Sequence, residues 1–158
     1  MLTESMEDYL EMVYRLEQEK GYVKVIDLAE ALHVNSSSVT RMIQKLDEAG
    51  FLSYVKYRNI ALNERGRKIG RFLVWRDQML ADFLNLLKAP GGVDDQVEGI
   101  EHYITPHTMS LIRNLVEYFS SNPQRLKELE EIQQQPRYPD GEELPHLRCW
   151  LFQHNRED

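Results

Sequence analysis

Residues 25–46 read VIDLAEALHVNSSSVTRMIQKL, and the reading of this stretch decides the fold. Val25–Leu32 spaces its apolar residues as an amphipathic helix does, and His33-Val34-Asn35 supplies a turn. Ser36–Leu46 then starts a second helix, with a serine as the expected N-cap. A short helix, a tight turn and a second helix with a small-polar, basic face form the helix-turn-helix pattern. Ala29, Val34, Val39, Ile43 and Leu46 are its expected core. Asn35 and Ser36 open the second helix, while Ser37, Thr40, Arg41 and Gln44 project outward along it. Arg can bond guanine and Gln adenine, and Ser, Thr and helix N-terminal amides suit phosphate. The plainer alternative is a helical hairpin with a solvated polar face.

The segment that follows favours the DNA reading. Tyr54-Val55-Lys56 and Ile60-Ala61-Leu62 are short β-prone runs separated by Tyr57-Arg58-Asn59. A hairpin directly after a recognition helix is a wing, with Lys56, Tyr57 and Arg58 placed to meet backbone phosphate. The fold class is therefore mainly α with a small β-hairpin wing. Charge agrees with this. The chain carries a formal net charge of -7, yet from His33 to Arg76 nine basic residues face three acidic ones, and from Asp77 onward seven face fifteen. A basic segment inside an acidic chain marks a local polyanion site.

Outward from this module, residues 4–19 read as a helix with Met6, Leu10, Val13, Tyr14 and Leu16 on one stripe and Gly21 at its end. Asn63 is placed to cap a long helix to about Leu87, basic in its first turns and apolar later. Pro90-Gly91-Gly92 breaks it. Val93 to Tyr103 reads as a further helix, Thr105-Pro106 starts another, and Pro123 opens the last. Residues 72–119 offer more apolar surface than so small a helical unit can bury, which favours a homodimer. The expected division is 1–71 for DNA binding, 72–135 for dimerisation and metal binding, and 136–158 as an irregular extension holding an apolar knot, Leu147–Phe152. No run approaches membrane-spanning length and the start MLTESMEDYL has no apolar signal region, so the expected location is cytoplasmic. The lone Cys149 has no partner for an internal disulfide.

Chemistry concentrates in Glu-Gly-Ile-Glu-His, residues 98–102. On a helix, Glu98, Glu101 and His102 stand at i, i+3 and i+4 and share one face. Asp8 and Glu11 stand three apart on the first helix, and Asp77 projects from the long connecting helix. Read singly, each group is an ordinary solvated acidic face, or acid near a helix start favouring its dipole. Read together, the five carboxylates, with one imidazole beside them, repel one another unless a cation sits among them. Hard oxygen with one nitrogen and no thiolate suits Mn²⁺ or Fe²⁺ better than Zn²⁺ or Cu⁺.

The pieces SMEDYLEMVY, VIDLAEAL, SSSVTRMIQKLDEAGFL, RGRKIGRFLVWR and VEGIEHYI, in that order, resemble the manganese-responsive members of the diphtheria-toxin-repressor family of metalloregulators, over about residues 4–133. The resemblance implies a winged-helix domain joined to a helical metal-binding and dimerisation domain, without a third, SH3-like domain. It implies a homodimer that binds two Mn²⁺ per subunit and then a palindromic operator, repressing metal-uptake genes. It places Asp8, Glu11, Glu98, Glu101 and His102 as ligands, with Glu98 and Glu101 bridging. One position departs: the family pattern has Tyr-Arg-His where this chain has Trp75-Arg76-Asp77, so an aspartate stands at a histidine ligand's place. Two other classes compete. A di-metal carboxylate enzyme would carry paired Glu-x-x-His motifs, and here one helix alone supplies a histidine. A winged-helix regulator of an organic ligand would leave the carboxylates as surface charge.

Overall fold

In the computed structural model, residues 2–55, 59–89 and 92–134 are described. Residues Met1–Tyr118 form one compact unit and Phe119–Asp158 a second. In the first lie α1 (Glu4–Lys20), α2 (Val25–Ala31), α3 (Ser36–Glu48), β1 (Leu52–Ser53), β2 (Ala61–Leu62), α4 (Glu64–Leu86), α5 (Val93–Ile100), a 3₁₀ turn (Glu101–Tyr103) and most of α6 (Pro106–Ser120). In the second, α7 (Pro123–Gln133) is capped by Asn122, with proline in its first turn. Its expected stripe splits there, Leu126 and Leu129 being half-buried and Ile132 exposed.

The main core gathers the inward stripes of α1, α3 and the small sheet around Leu10, Val13, Leu28, Val39, Ile43 and Leu46, and Leu73 of α4 joins it. Thr3 caps α1 through the Met6 amide, and Gly21 ends it at φ +73°, the left-handed conformation that favours glycine. Gly70 lets α4 lie close against α1, since a Cβ there would stand 2.6 Å from Tyr14 Cβ. That close approach aligns the outer face of α1 with the later turns of α4. A second, smaller core holds Leu80 of α4, Val97 of α5 and Met109 of α6.

Several expectations change in detail. The cap of α3 is Asn35, not a serine: its Oδ1 accepts from the Ser38 amide at 2.8 Å and from the Ser37 hydroxyl at 2.6 Å. The amide reaches its oxygen in the Asx geometry that a serine one place later would not supply. Val34 is exposed rather than core, because His33 turns the chain at φ +54° and carries Val34 outward. The first wing strand lies two residues earlier than expected. Leu52 pairs with Leu62 and Ser53 with Ala61, since the apolar residues that reach the core are Phe51, Leu52, Ile60 and Leu62. Tyr54 and Val55 lie outside the strand. A bridge from Val23 to Ile60 adds a third short edge. Lys56, Tyr57 and Arg58 lie outside the described residues, as do the Leu147–Phe152 knot and Cys149. Asn63 caps α4 as expected, accepting from the Gly66 amide at 2.9 Å. That helix closes at Leu86, and Leu87 is its exposed cap.

The helix expected over 93–103 is not continuous. It ends at Ile100 after the weak helix former Gly99, and Glu101–Tyr103 tighten into a 3₁₀ turn ahead of Thr105-Pro106. The change of pitch rotates Glu101 inward, leaving it 4% exposed, while Glu98 stays on the surface.

Candidate metal centre

Asp8 of α1, Glu98 of α5, and Glu101 and His102 of the 3₁₀ turn converge. One ligand atom from each lies within 4.8 Å of all the others. Asp8 stands about ninety residues from the rest in sequence, and the packing of α1 and α5 on α4 closes that distance.

The histidine is oriented from behind. His102 Nδ1 lies 3.0 Å from Glu7 Oε2. Nε2 faces Asp8 Oδ1 at 3.2 Å and Glu101 Oε1 at 3.8 Å, so each ring nitrogen has a carboxylate partner. In the tautomer whose Nδ1 donates to Glu7, Nε2 is the nitrogen that would face a cation, with Glu7 fixing the ring as an outer partner. Burial works against a charge on this ring, yet the bond to Glu7 and the nearby Asp8 and Glu101 carboxylates outweigh it and raise the imidazole above its usual range.

Charge elsewhere in the cluster is poorly accommodated. Burial raises the Asp8 carboxyl, with His102 pulling it down and Glu98, Glu11 and Glu7 pushing it up. Burial also raises Glu101, against the pull of Arg76. Arg76, 4% exposed, supports the cluster: Nε and Nη2 donate to Glu101 Oε2 at 3.2 and 3.0 Å, and Nη1 to Glu7 Oε2 at 2.8 Å. Partly buried carboxylates whose charge burial disfavours, facing the Nε2 of an imidazole, are groups that a hard divalent cation satisfies. The donor set fits such an ion.

Glu11 and Asp77, the other two expected ligands, meet at Arg15. Arg15 donates to Glu11 Oε1 from Nε at 2.9 Å and Nη2 at 2.7 Å, and to Asp77 Oδ2 from Nη2 at 2.5 Å. Glu11 is raised by burial in spite of that partner, and Asp77 pushes it further. Its charge also reaches Glu101, so the two clusters adjoin.

Glu7, Arg15 and Arg76 were absent from the sequence-based set. A signal existed for two of them. Arg76 falls between Leu73 and Leu80 on the apolar stripe of α4, where a charge must be paired. Arg15 follows Glu11 by four residues on the face that also carries Asp8. Of the residues expected to meet DNA, Ser36, Ser37, Arg41 and Gln44 are exposed on α3, and the Thr40 hydroxyl donates to Ser36 O at 2.8 Å.

Two family models match in tandem. Residues 1–60 match the iron dependent repressor N-terminal DNA binding domain, and residues 63–130 its metal binding and dimerisation domain. The chain belongs to the iron-dependent repressor family. Among relatives in this family, the HTH-type transcriptional regulator MntR of Shouchella clausii (strain KSM-K16) is 48% identical over 147 residues, covering 90% of this chain and all of that protein. The regulator of the same name from Bacillus subtilis (strain 168) is 47% identical over 138 residues, covering 84% of this chain and 94% of that one. A solved structure described as a manganese-dependent transcriptional repressor in complex with manganese superposes with a TM-score of 0.64 at 25% identity, covering 72% of this chain and 53% of that one. The chain thus spans about half the length of that solved repressor. As an iron-dependent repressor family member it is a metal-dependent transcriptional repressor with a DNA-binding and a dimerisation domain, not an enzyme.

Proposed function

We propose that this chain is a manganese-responsive repressor of metal-uptake genes, acting in the cytoplasm as a homodimer on a palindromic operator. The observation that carries the reading is the convergence of Asp8, on the first helix of the winged module, with Glu98, Glu101 and His102 beyond α4. Those four groups would hold the first ion. A second ion would draw on Glu11 and Asp77, with Glu98 and Glu101 available to both ions. Mn²⁺ is the metal assigned here, since it is named with one similar structure and suits an oxygen-rich set better than the Zn²⁺ named with another; Fe²⁺ fits the same donors. When bound, the metal supplies positive charge shared by α1 and the α5 turn.

The residues do the rest. Without that charge the carboxylates of α1 and α5 repel, and the winged module is loosely held. When they share a cation, α1 is held against α5, and α3 is held at the spacing of its copy in the dimer. Ordering in advance lowers the cost of binding two half-sites, a coupling of roughly 1–3 kcal/mol or about 5- to 150-fold. Residues 1–71 read DNA through Asn35, Ser36, Ser37, Thr40, Arg41 and Gln44, with Lys56, Tyr57 and Arg58 on phosphate; residues 72–135 dimerise. The dimer reading is supported by exposed Leu111, Leu115 and Tyr118, spaced four and three apart along α6.

The test is a manganese titration followed by a mobility-shift assay on duplexes selected from a random-sequence pool. Retardation should appear with Mn²⁺ and vanish with chelator. Arg41→Ala should weaken retardation by about 1–3 kcal/mol if it reads a base and leave manganese affinity unchanged. Manganese binding without any effect on DNA would favour a metalloenzyme, and DNA binding indifferent to manganese a regulator of another ligand.

A further inference from the structure

We infer that Arg15 is a tethered cation occupying the position between Glu11 and Asp77, so that metal loads in two separated steps, the second by displacement of this guanidinium. The inference rests on the metal reading above and concerns how that centre fills. Three observations carry it. Arg15 makes two hydrogen bonds to one oxygen of Glu11 and a third to Asp77, so one permanent positive charge already bridges the two acids. The Asp8, Glu98, Glu101 and His102 cluster excludes both acids, and among the described residues its side chains bond one another, Glu7 and Arg76 rather than Arg15. Finally, the Arg15 side chain is 40% exposed, so it can swing into solvent and leave the 13%-exposed Glu11 carboxylate for the entering ion to neutralise.

The first ion therefore meets donors already gathered, where Arg76 bonds Glu101 only at Oε2 and Oε1 faces His102. A second ion that draws on Glu11 and Asp77 must break three short charge-assisted bonds. Asp77 adds a negative charge to this part of the centre and Arg15 cancels it. At low manganese the guanidinium wins because it is tethered beside its partners; at higher manganese the divalent ion wins on charge. Arg15 thus sets the concentration at which the second ion enters.

The experiment counts bound Mn²⁺ by loss of the free-ion EPR signal during titration of the full chain, comparing the wild type with Arg15→Met, Arg15→Gln and Arg67→Met. Arg67 pairs with Glu17 on the same two helices and is the control for removing one positive charge. The wild type should show one tight ion per chain and a second, weaker step. Both Arg15 variants should tighten the second step about 10- to 100-fold, the scale of changes beside a metal centre, with the first step and Arg67→Met little changed. Circular dichroism checks that each variant keeps its helices, and the two Arg15 replacements guard against one misfolding. An unchanged second step in folded Arg15 variants overturns the inference alone. So does an equal gain in Arg67→Met, which would make the effect diffuse electrostatics. No manganese in any of the proteins overturns the metal reading itself, and this inference with it.

Discussion

The winged region and the α4–α6 region are built by the same rules to opposite ends. The first has a large apolar core: among the described residues fourteen are buried around Leu10 and Ile43, all but Leu73 of α4 from residues 6–62, with Arg67 and Glu17 paired at the edge. Among the described residues, the second holds three buried apolar side chains in its core, Leu80, Val97 and Met109, leaves Leu111, Leu115 and Tyr118 exposed on α6, and gathers acids with the buried Arg76 at its junction with α1. One region is completed by its own sequence. The other, on the function proposed above, would be completed by what binds it, a cation at the acids and a second copy at the apolar stripe.

The sharpest way to break this contrast is to damage each core in turn. Leu10→Ala should cost the metal-free protein about 2–5 kcal/mol, the range for a fully buried leucine. Leu80→Ala, in the smaller core, should cost less. Denaturant unfolding with chelator measures both, and equal losses would remove the distinction between the regions. A smaller effect on the fold but a large one on assembly is expected from Leu115→Glu. It should turn a dimer into a monomer in sedimentation while changing the stability of the chain itself by only about 0.5 kcal/mol, as surface changes do. A dimer that survives this change places the interface elsewhere.

The smallest effect is that of pH, and its sign follows from the acids at the junction. Asp8, Glu11 and Glu101 are each raised by burial above the ordinary carboxylate range, and His102 is raised as well. A group raised on folding lends stability below its unfolded pKa and withdraws it as pH climbs through the folded value. The metal-free protein should therefore lose a little thermal stability between mildly acid and neutral pH. Manganese should restore it at neutral pH and help progressively less on acidification, as protons compete for the same oxygens. Melting temperatures across that range, with and without Mn²⁺, check both signs.

What the sequence disclosed divides along the same line. Helical spacing from Val25 to Leu46 identifies the helix-turn-helix because self-contained amphipathic elements write their burial into their own period. The misreading of Val34 and of the first wing strand has a local origin: a left-handed His33 and the inward pull of Phe51 and Leu52 shift the register by one or two residues. The junction was legible in its ligands but not in their partners. Asp8, Glu98, Glu101 and His102 announce themselves by type and spacing. The roles of Glu7, Arg15 and Arg76 depend on which helix faces turn together, and the break at Ile100 that swings Glu101 inward depends on tertiary packing.

The central claim is that cation and DNA are linked through α1, and linkage is reciprocal. The most direct test measures the affinity of the dimer for Mn²⁺ by EPR, with and without a saturating selected duplex. The account predicts that DNA tightens manganese binding by the same factor, about 5- to 150-fold, by which manganese tightens DNA binding, and that Glu98→Ala abolishes both gains with the fold intact. Equal manganese affinity in the presence and absence of DNA would contradict it.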